Sequence, residues 1–148
     1  MEEKIPSTLI EFINKELNQY SIPTVNNYMD GWELFSQNDS TPFLACSDFN
    51  LDGHNDYALI LERNNSDQVS LFIFNTIGTS FLPFYLADYY LRDSKIATVI
   101  TVEKKGKWEG ENNTIITSAD GVLVKLIVES RSCAYYWDDH QYTQFLYD

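Results

Sequence analysis

The stretch Phe43-Leu-Ala-Cys-Ser-Asp-Phe-Asn-Leu-Asp-Gly-His-Asn-Asp-Tyr-Ala-Leu-Ile-Leu61 decides how the chain folds, because two apolar runs flank an acidic segment. Residues 43–46 and 57–61 are short, apolar and rich in aliphatic and aromatic side chains, as β-strands are. We therefore predict two β-strands joined by residues 48–56, which we call the acidic loop.

The acidic loop carries oxygen-bearing side chains at regular positions. Positions one, three, five and nine are Asp48, Asn50, Asp52 and Asp56. Gly53 is at position six, where calcium loops use glycine for a sharp turn, and His54 at position seven would offer its backbone carbonyl and not its ring. The spacing thus predicts a metal site with calcium as the cofactor, formed by Asp48, Asn50, Asp52, His54 and Asp56.

Electrostatics also favours a cation in this loop. Two carboxylates ~5 Å apart at an effective dielectric of ~20 repel each other by about 3 kcal/mol before screening. A divalent ion would turn that repulsion into attraction. The alternative is a turn without metal, in which the carboxylates accept hydrogen bonds from backbone amides.

The loop differs from an EF-hand, which requires a bidentate Glu at position twelve and a helix on each side. Position twelve is Leu59, within the predicted strand. The loop resembles the calcium loops of FG-GAP/VCBS-type proteins, whose Asp-Phe-Asn-x-Asp-Gly-x-x-Asp core precedes an apolar strand. It is present in a single copy, without the Phe-Gly-x-x-Gly-Ala-Pro signature of those proteins.

A wider likeness covers most of the chain but has weaker motifs. The sequence is similar to small bacterial α+β proteins of unassigned function. These have a helix near the start (here near Leu9), one loop of this kind, and a closing aromatic hairpin (here residues 135–137 with Tyr142). The likeness implies a fold and not an activity.

Composition restricts the class of partner. The chain has 148 residues, 44% of them hydrophobic, which suits one domain over residues 1–148. The net charge of −12 opposes binding to nucleic acid and to anionic membranes, and favours a basic protein partner or a cation. No apolar run is long enough to cross a membrane, and residues 1–6 do not resemble a signal peptide. We expect a cytoplasmic protein if Met1 is the native start and an exported protein otherwise.

The hydrophobic periodicity predicts one helix followed by strands. Apolar residues recur at three- and four-residue steps over residues 7–20, which predicts an amphipathic helix, and residues 25–35 suggest a shorter helical piece. Residues 37–42 read as a polar loop. Strands are predicted at 43–46, 57–62, 69–74, 81–85, 96–102, 114–118, 122–129, 133–137 and 142–146.

The connections between these strands are predicted as turns or loops. Residues 64–67 and 119–121 indicate hairpin turns, and residues 86–92 a loop or helical turn. Short connections favour antiparallel order. The fold class predicted is α+β, with the N-terminal helix packed on a curved antiparallel β-meander of about eight strands.

A second candidate site is the aromatic and acidic segment near the end of the chain. It comprises Tyr135, Trp137, Asp138 and Asp139. If one face of the strand is exposed, its aromatic side chains could anchor a protein partner beside the acidic turn. Packing of the same side chains in the core is the alternative.

Two further groups of side chains are given structural roles. Lys104, Lys105, Lys107 and Trp108 indicate a solvated hairpin tip. Cys46 and Cys133 are expected to be buried thiols in neighbouring strands, since neither belongs to a Cys-x-x-Cys pair.

Catalytic motifs are missing from the sequence. Neither Gly-x-Ser-x-Gly, His-Glu-x-x-His nor a P-loop occurs, and His54 and His140 both lie in polar turns. These features favour a non-enzymatic protein-interaction domain with one structural calcium loop, of which an immunity-type inhibitor of a basic toxin is one version. Two alternatives stay open: a metal-dependent hydrolase with a dispersed site, and an exported calcium-stabilised surface module.

Overall fold

The fold is roughly all-β. A computed structural model describes residues 4–36 and 41–148. Strands make up 52% of the structure and helices 11%, and the strands of the described residues form three antiparallel sheets. The predicted α+β fold, with a helix packed on a single meander, is therefore wrong.

The elements follow one another with short connections. The helix α1 spans Ser7–Glu16, and two 3-10 turns span Val25–Asn27 and Trp32–Leu34. The strands are β1 Tyr20–Ser21, β2 Leu44–Ser47, β3 Asp56–Arg63, β4 Gln68–Ile77, β5 Ser80–Tyr90, β6 Thr98–Glu103, β7 Gly106–Glu109, β8 Thr114–Thr117, β9 Gly121–Leu126, β10 Arg131–Asp138 and β11 Gln141–Leu146.

The first sheet has the order β1-β3-β4-β5, and β2 also pairs with β3. Four consecutive side chains of β3, at positions 58–61, are fully buried, so both faces of this sheet are covered. On one face α1 packs through Phe12, whose ring meets Phe74 and Phe81 edge to face. On the other face Phe84 meets Trp137 and so contacts the second sheet.

The second sheet explains why the fold prediction failed. It has the order β11-β10-β9-β6 and shares one hydrophobic core with β3 and β4. A sheet that is apolar on both faces needs a layer on each side. A helix of 10 residues covers one face only in part, and the opposite face is covered by strands.

The third sheet, the β7–β8 hairpin, covers the outer side of the second sheet. Trp108 is 3% exposed, packs against Tyr136 and Phe145, and donates its indole N–H to the Lys104 carbonyl at 2.8 Å. Gly121 allows this packing, because a Cβ there would collide with the Trp108 ring. The prediction of a solvated tip is wrong for Trp108, although the neighbouring lysines are exposed.

Several boundaries differ from the predicted ones. The helix ends at Glu16 because Tyr20 instead pairs with Arg63 as part of β1 and packs on Phe72. Residues 25–35 form the two 3-10 turns rather than one helical piece. Most of the segment predicted as a loop at 86–92 belongs to the long strand β5, and of the polar loop predicted at 37–42, residues 37–40 lie outside the described residues.

The two cysteines lie in different sheets, Cys46 on β2 and Cys133 on β10, and no disulfide joins them. The predicted placement in neighbouring strands is therefore wrong. Among the described residues, no helix has the length and apolar character needed to span a membrane.

Candidate metal centre

The acidic loop connects β2 to β3, as predicted. Ser47 at the end of β2 pairs with Asp56 at the start of β3, so the chain leaves and re-enters the sheet at one position. The loop reverses through left-handed conformations at Leu51 (φ 59°) and Gly53 (φ 89°). Glycine adopts the second conformation without steric cost, which accounts for its place in the loop.

Three carboxylates converge inside the loop. One oxygen from each of Asp48, Asp52 and Asp56 lies within 4.8 Å of the others. Asp48 accepts the backbone N–H of Asp52 at 3.1 Å and that of Gly53 at 2.8 Å, and Asp52 accepts the N–H of His54 at 3.0 Å. These bonds fold the loop around its acidic side chains.

Asp56 has a different environment from the other two. Its side chain is fully buried and accepts backbone N–H groups from Phe49 at 2.9 Å, Asn50 at 3.3 Å and Thr76 at 3.0 Å. Burial, reinforced by the charge of Asp52 and opposed by the hydrogen bonds, raises the pKa of Asp56 to about 6. Asp56 thus ties the loop to β4 as well as to β3.

Asn50 leaves one polar atom without a hydrogen bond. Its side-chain N–H donates to Asp52 at 3.2 Å, whereas its Oδ1 is shielded from solvent and accepts no hydrogen bond. Within the described residues, no basic side chain forms an ion pair with Asp48, Asp52 or Asp56. The loop therefore combines clustered oxygen atoms with uncompensated negative charge, the ligand chemistry that hard cations prefer.

The predicted partner-binding residues do not share one surface. Tyr135 is 6% exposed and belongs to the core, where its hydroxyl accepts the Gln144 amide at 3.3 Å. Trp137 is half-buried against Phe84 and Tyr142. Asp138 and Asp139 are exposed at the β10–β11 turn.

The acidic loop and the β10–β11 turn nevertheless lie at the same end of the sheet sandwich. Tyr142 donates its hydroxyl to Asn75, and the next residue, Thr76, donates its N–H to Asp56. Burial raises the pKa of Tyr142, and the nearby loop carboxylates raise it further. The sequence patterns did not identify Asn75 and Thr76 as neighbours of the acidic loop. The available signal was a polar residue, Asn75, directly after the apolar run of β4.

A further carboxylate, Asp120, lies beside the loop. It accepts the Ser47 hydroxyl at 2.8 Å and the Lys105 N–H at 2.9 Å, and the Lys104 ammonium lies 3.8 Å away. Burial alone would raise the pKa of Asp120, but these hydrogen bonds and lysine charges outweigh it and lower the pKa. The hairpin predicted at residues 119–121 is wrong, since β8 and β9 belong to different sheets.

Comparisons of this chain with protein-family models, with curated proteins and with solved structures found no match. The resemblance to FG-GAP/VCBS-type loops rests on the residues of the acidic loop and stays a prediction. What the loop can do is therefore argued from its own geometry and charge.

Proposed function

We propose that the chain is a non-enzymatic protein-interaction domain whose acidic loop binds one structural calcium ion. The observation that carries this proposal is the convergence of Asp48, Asp52 and Asp56 within 4.8 Å, with no ion pair to a basic side chain among residues 4–36 and 41–148. The side-chain oxygens of these residues and of Asn50, with the backbone carbonyl of His54, would hold the ion. Bound calcium would remove the carboxylate repulsion and fix the junction of β2 and β3.

Calcium suits the loop better than magnesium. Calcium accepts six to eight oxygen ligands in flexible geometry, whereas magnesium retains several waters and requires an octahedron. Because the loop lacks a glutamate at position twelve, we expect a dissociation constant on the order of 10⁻⁴–10⁻³ M. Such affinity suits surroundings with millimolar calcium, which favours the exported version of the proposal over the cytoplasmic one.

Thermal unfolding in increasing CaCl2 tests the metal site. At 10 mM CaCl2 this affinity corresponds to stabilisation of roughly 1.5–3 kcal/mol. That stabilisation raises the Tm by about 3–10 °C for a chain of this size. MgCl2 at the same concentration should give a smaller shift.

Two isosteric variants serve as test and control. Asp52→Asn removes a charge from the loop, so the calcium-dependent shift should disappear. Asp67→Asn removes the same charge from the exposed β3–β4 turn and should leave the shift intact. A wild-type Tm unaffected by 10 mM CaCl2, or an equal loss in both variants, would contradict the calcium site.

The partner we propose is a basic protein that binds at the end of the sandwich containing the acidic loop. Support comes from the net charge of −12 and from Asp138 and Asp139, which are exposed at that end beside the half-buried Trp137. Opposite charges speed association and orient the partner. One version is an immunity-type protein that covers the basic active-site cleft of a toxin.

Quantitative binding to an isolated partner tests this surface. A basic protein recovered from host extract is purified and titrated against the wild type and the double variant Asp138→Asn/Asp139→Asn. We expect at least tenfold weaker binding for the double variant. The charge-matched double variant Glu11→Gln/Glu16→Gln, on the exposed side of α1, should bind like the wild type.

Two results would overturn the interaction role. One is equal binding by all three proteins. The other is calcium-dependent turnover of phosphoester or glycan substrates that Asp52→Asn abolishes while its metal-free Tm stays unchanged, which would establish the hydrolase alternative.

A further inference from the structure

A cleft opens between the two large sheets at the end far from the acidic loop. It encloses about 280 Å³ and lies between the C-terminal end of β5, at Tyr89, and the inner face of β9, β10 and β11. A neighbouring cavity of about 210 Å³ shares Tyr89 and Leu126 with it.

The walls of the cleft are apolar and its floor carries hydrogen-bonding groups. Val124, Leu126 and Leu146 line the walls, and Leu146 is 54% exposed at the mouth. On the floor lie the half-buried Tyr89 hydroxyl and Cys133 thiol, and the exposed Gln144 amide lies at the open edge of the cleft on β11.

These floor groups are held in their neutral forms. Burial raises the pKa of Tyr89 far above its ordinary value, and burial also raises the pKa of the Cys133 thiol. The same desolvation would penalise an anionic ligand placed on this floor. Arg131 lines the cleft and is exposed, so solvent screens its attraction for an anion, and the carboxylate of Asp148 in the same lining opposes that attraction.

Size sets the second requirement on a ligand. An apolar cavity of about 150 Å³ accommodates benzene, so the volume of this cleft suits a molecule of about two fused rings. We propose that the inter-sheet cleft binds an uncharged, bicyclic-sized aromatic molecule that carries one hydrogen-bonding group for the polar side chains of Tyr89, Cys133 and Gln144 that line it. This site does not depend on the acidic loop or on its metal.

Titration of the full chain with indole, followed by backbone amide NMR, tests the proposal. Indole is neutral, bicyclic and has one N–H donor. We expect saturable shifts of the amides of residues 124–126, 131–133 and 144–146 with a dissociation constant on the order of 10⁻⁴–10⁻³ M. Indole-3-carboxylate, similar in size but anionic, should bind at least tenfold more weakly.

Two substitutions to tryptophan locate the site. Leu146→Trp fills the mouth of the cleft from an exposed position and should weaken indole binding at least tenfold. Ile116→Trp makes a comparable change on β8, where the side chain is 83% exposed, and should bind indole like the wild type.

Thiol chemistry gives a second readout. Saturating indole should slow alkylation of Cys133 by N-ethylmaleimide, measured on the Cys133 peptide by mass spectrometry. The proposal is overturned if millimolar indole leaves the cleft amides unshifted, if the carboxylate binds as tightly as indole, or if Leu146→Trp binds indole like the wild type.

Discussion

Ser47 is a neighbour of two carboxylates: it pairs with Asp56 between β2 and β3, and its hydroxyl donates to Asp120. The pKa values of these two carboxylates are shifted in opposite directions. Asp56 is fully buried and is bound by three backbone N–H groups. Asp120 is bound by one backbone N–H and one hydroxyl, with the Lys104 ammonium 3.8 Å away. Burial raises the pKa of Asp56 to about 6, whereas hydrogen bonds and lysine charges hold that of Asp120 below its ordinary value.

The difference shows where the protein supplies its own counter-charge. At Asp120 the chain provides the cation, so the carboxylate is ionised without help from solution. In the acidic loop the described residues provide only N–H dipoles, so the charge of Asp56 is balanced by a proton or by an ion from solution. For this reason we place the proposed calcium in the acidic loop and not beside Asp120.

Substitution of Asp56 should have the largest effect on stability. Asp56→Ala leaves the buried N–H groups of Phe49, Asn50 and Thr76 without an acceptor, and each such group costs about 1–3 kcal/mol. We expect the free energy of unfolding to fall by roughly 3–5 kcal/mol in EDTA, measured by urea denaturation. A loss below about 1 kcal/mol would mean that water replaces the carboxylate and that the loop is not tied to β4.

The two carboxylates should make the free energy of unfolding change with pH in opposite directions. The folded-state pKa of Asp56 is raised to about 6. The contribution of protonated Asp56 to stability is therefore complete when the pH is below the ordinary carboxyl pKa, and it is lost as the pH rises through about 6. In EDTA this loss amounts to at most about 3 kcal/mol between pH 4 and pH 7. For Asp120, whose pKa is lowered, stability is instead lost as pH falls below the ordinary carboxyl range.

Chemical denaturation at a series of pH values isolates each contribution. Relative to wild type, Asp56→Asn should remove the decline between pH 4 and pH 7, and Asp120→Asn should leave that decline in place. If both variants show the wild-type profile, the opposite tuning of the two groups is wrong.

Substitution of Asp120 should have a much smaller effect than substitution of Asp56. In Asp120→Asn the amide oxygen can still accept the Lys105 N–H and the amide NH2 can donate to the Ser47 hydroxyl oxygen, so the main loss is the attraction of Lys104, whose side chain is 83% exposed. We expect a loss of about 0.5–1 kcal/mol at pH 7, because exposed ion pairs contribute little. Glu109→Gln, which breaks the more exposed pair with Lys107, should change stability by less than about 0.5 kcal/mol. A loss for Asp120→Asn as large as that for Asp56→Ala would contradict the comparison.

Local patterns predicted the acidic loop and most strands correctly. The alternation of oxygen-bearing side chains and the glycine at position six specified the loop, and the apolar runs beside it specified β2 and β3. The spacing of Tyr20 predicts a place in the helix, but its pairing with Arg63 and its contact with Phe72 place it in a strand. Trp108 follows Lys104, Lys105 and Lys107, which predicts a position in solvent, whereas the missing side chain of Gly121 makes room for its ring in the core.

The sequence by itself determined where the strands and the acidic loop lie, because the features that specify them are separated by only a few residues. The tertiary structure decided how the sheets pack, how deeply Asp56 is buried and which carboxylate acquires a lysine. Those outcomes depend on contacts between distant segments: Asp56 meets Thr76 across 20 residues and Ser47 meets Asp120 across 73. Burial and charge compensation are set by such neighbours, and no pattern within a short window of sequence contains them.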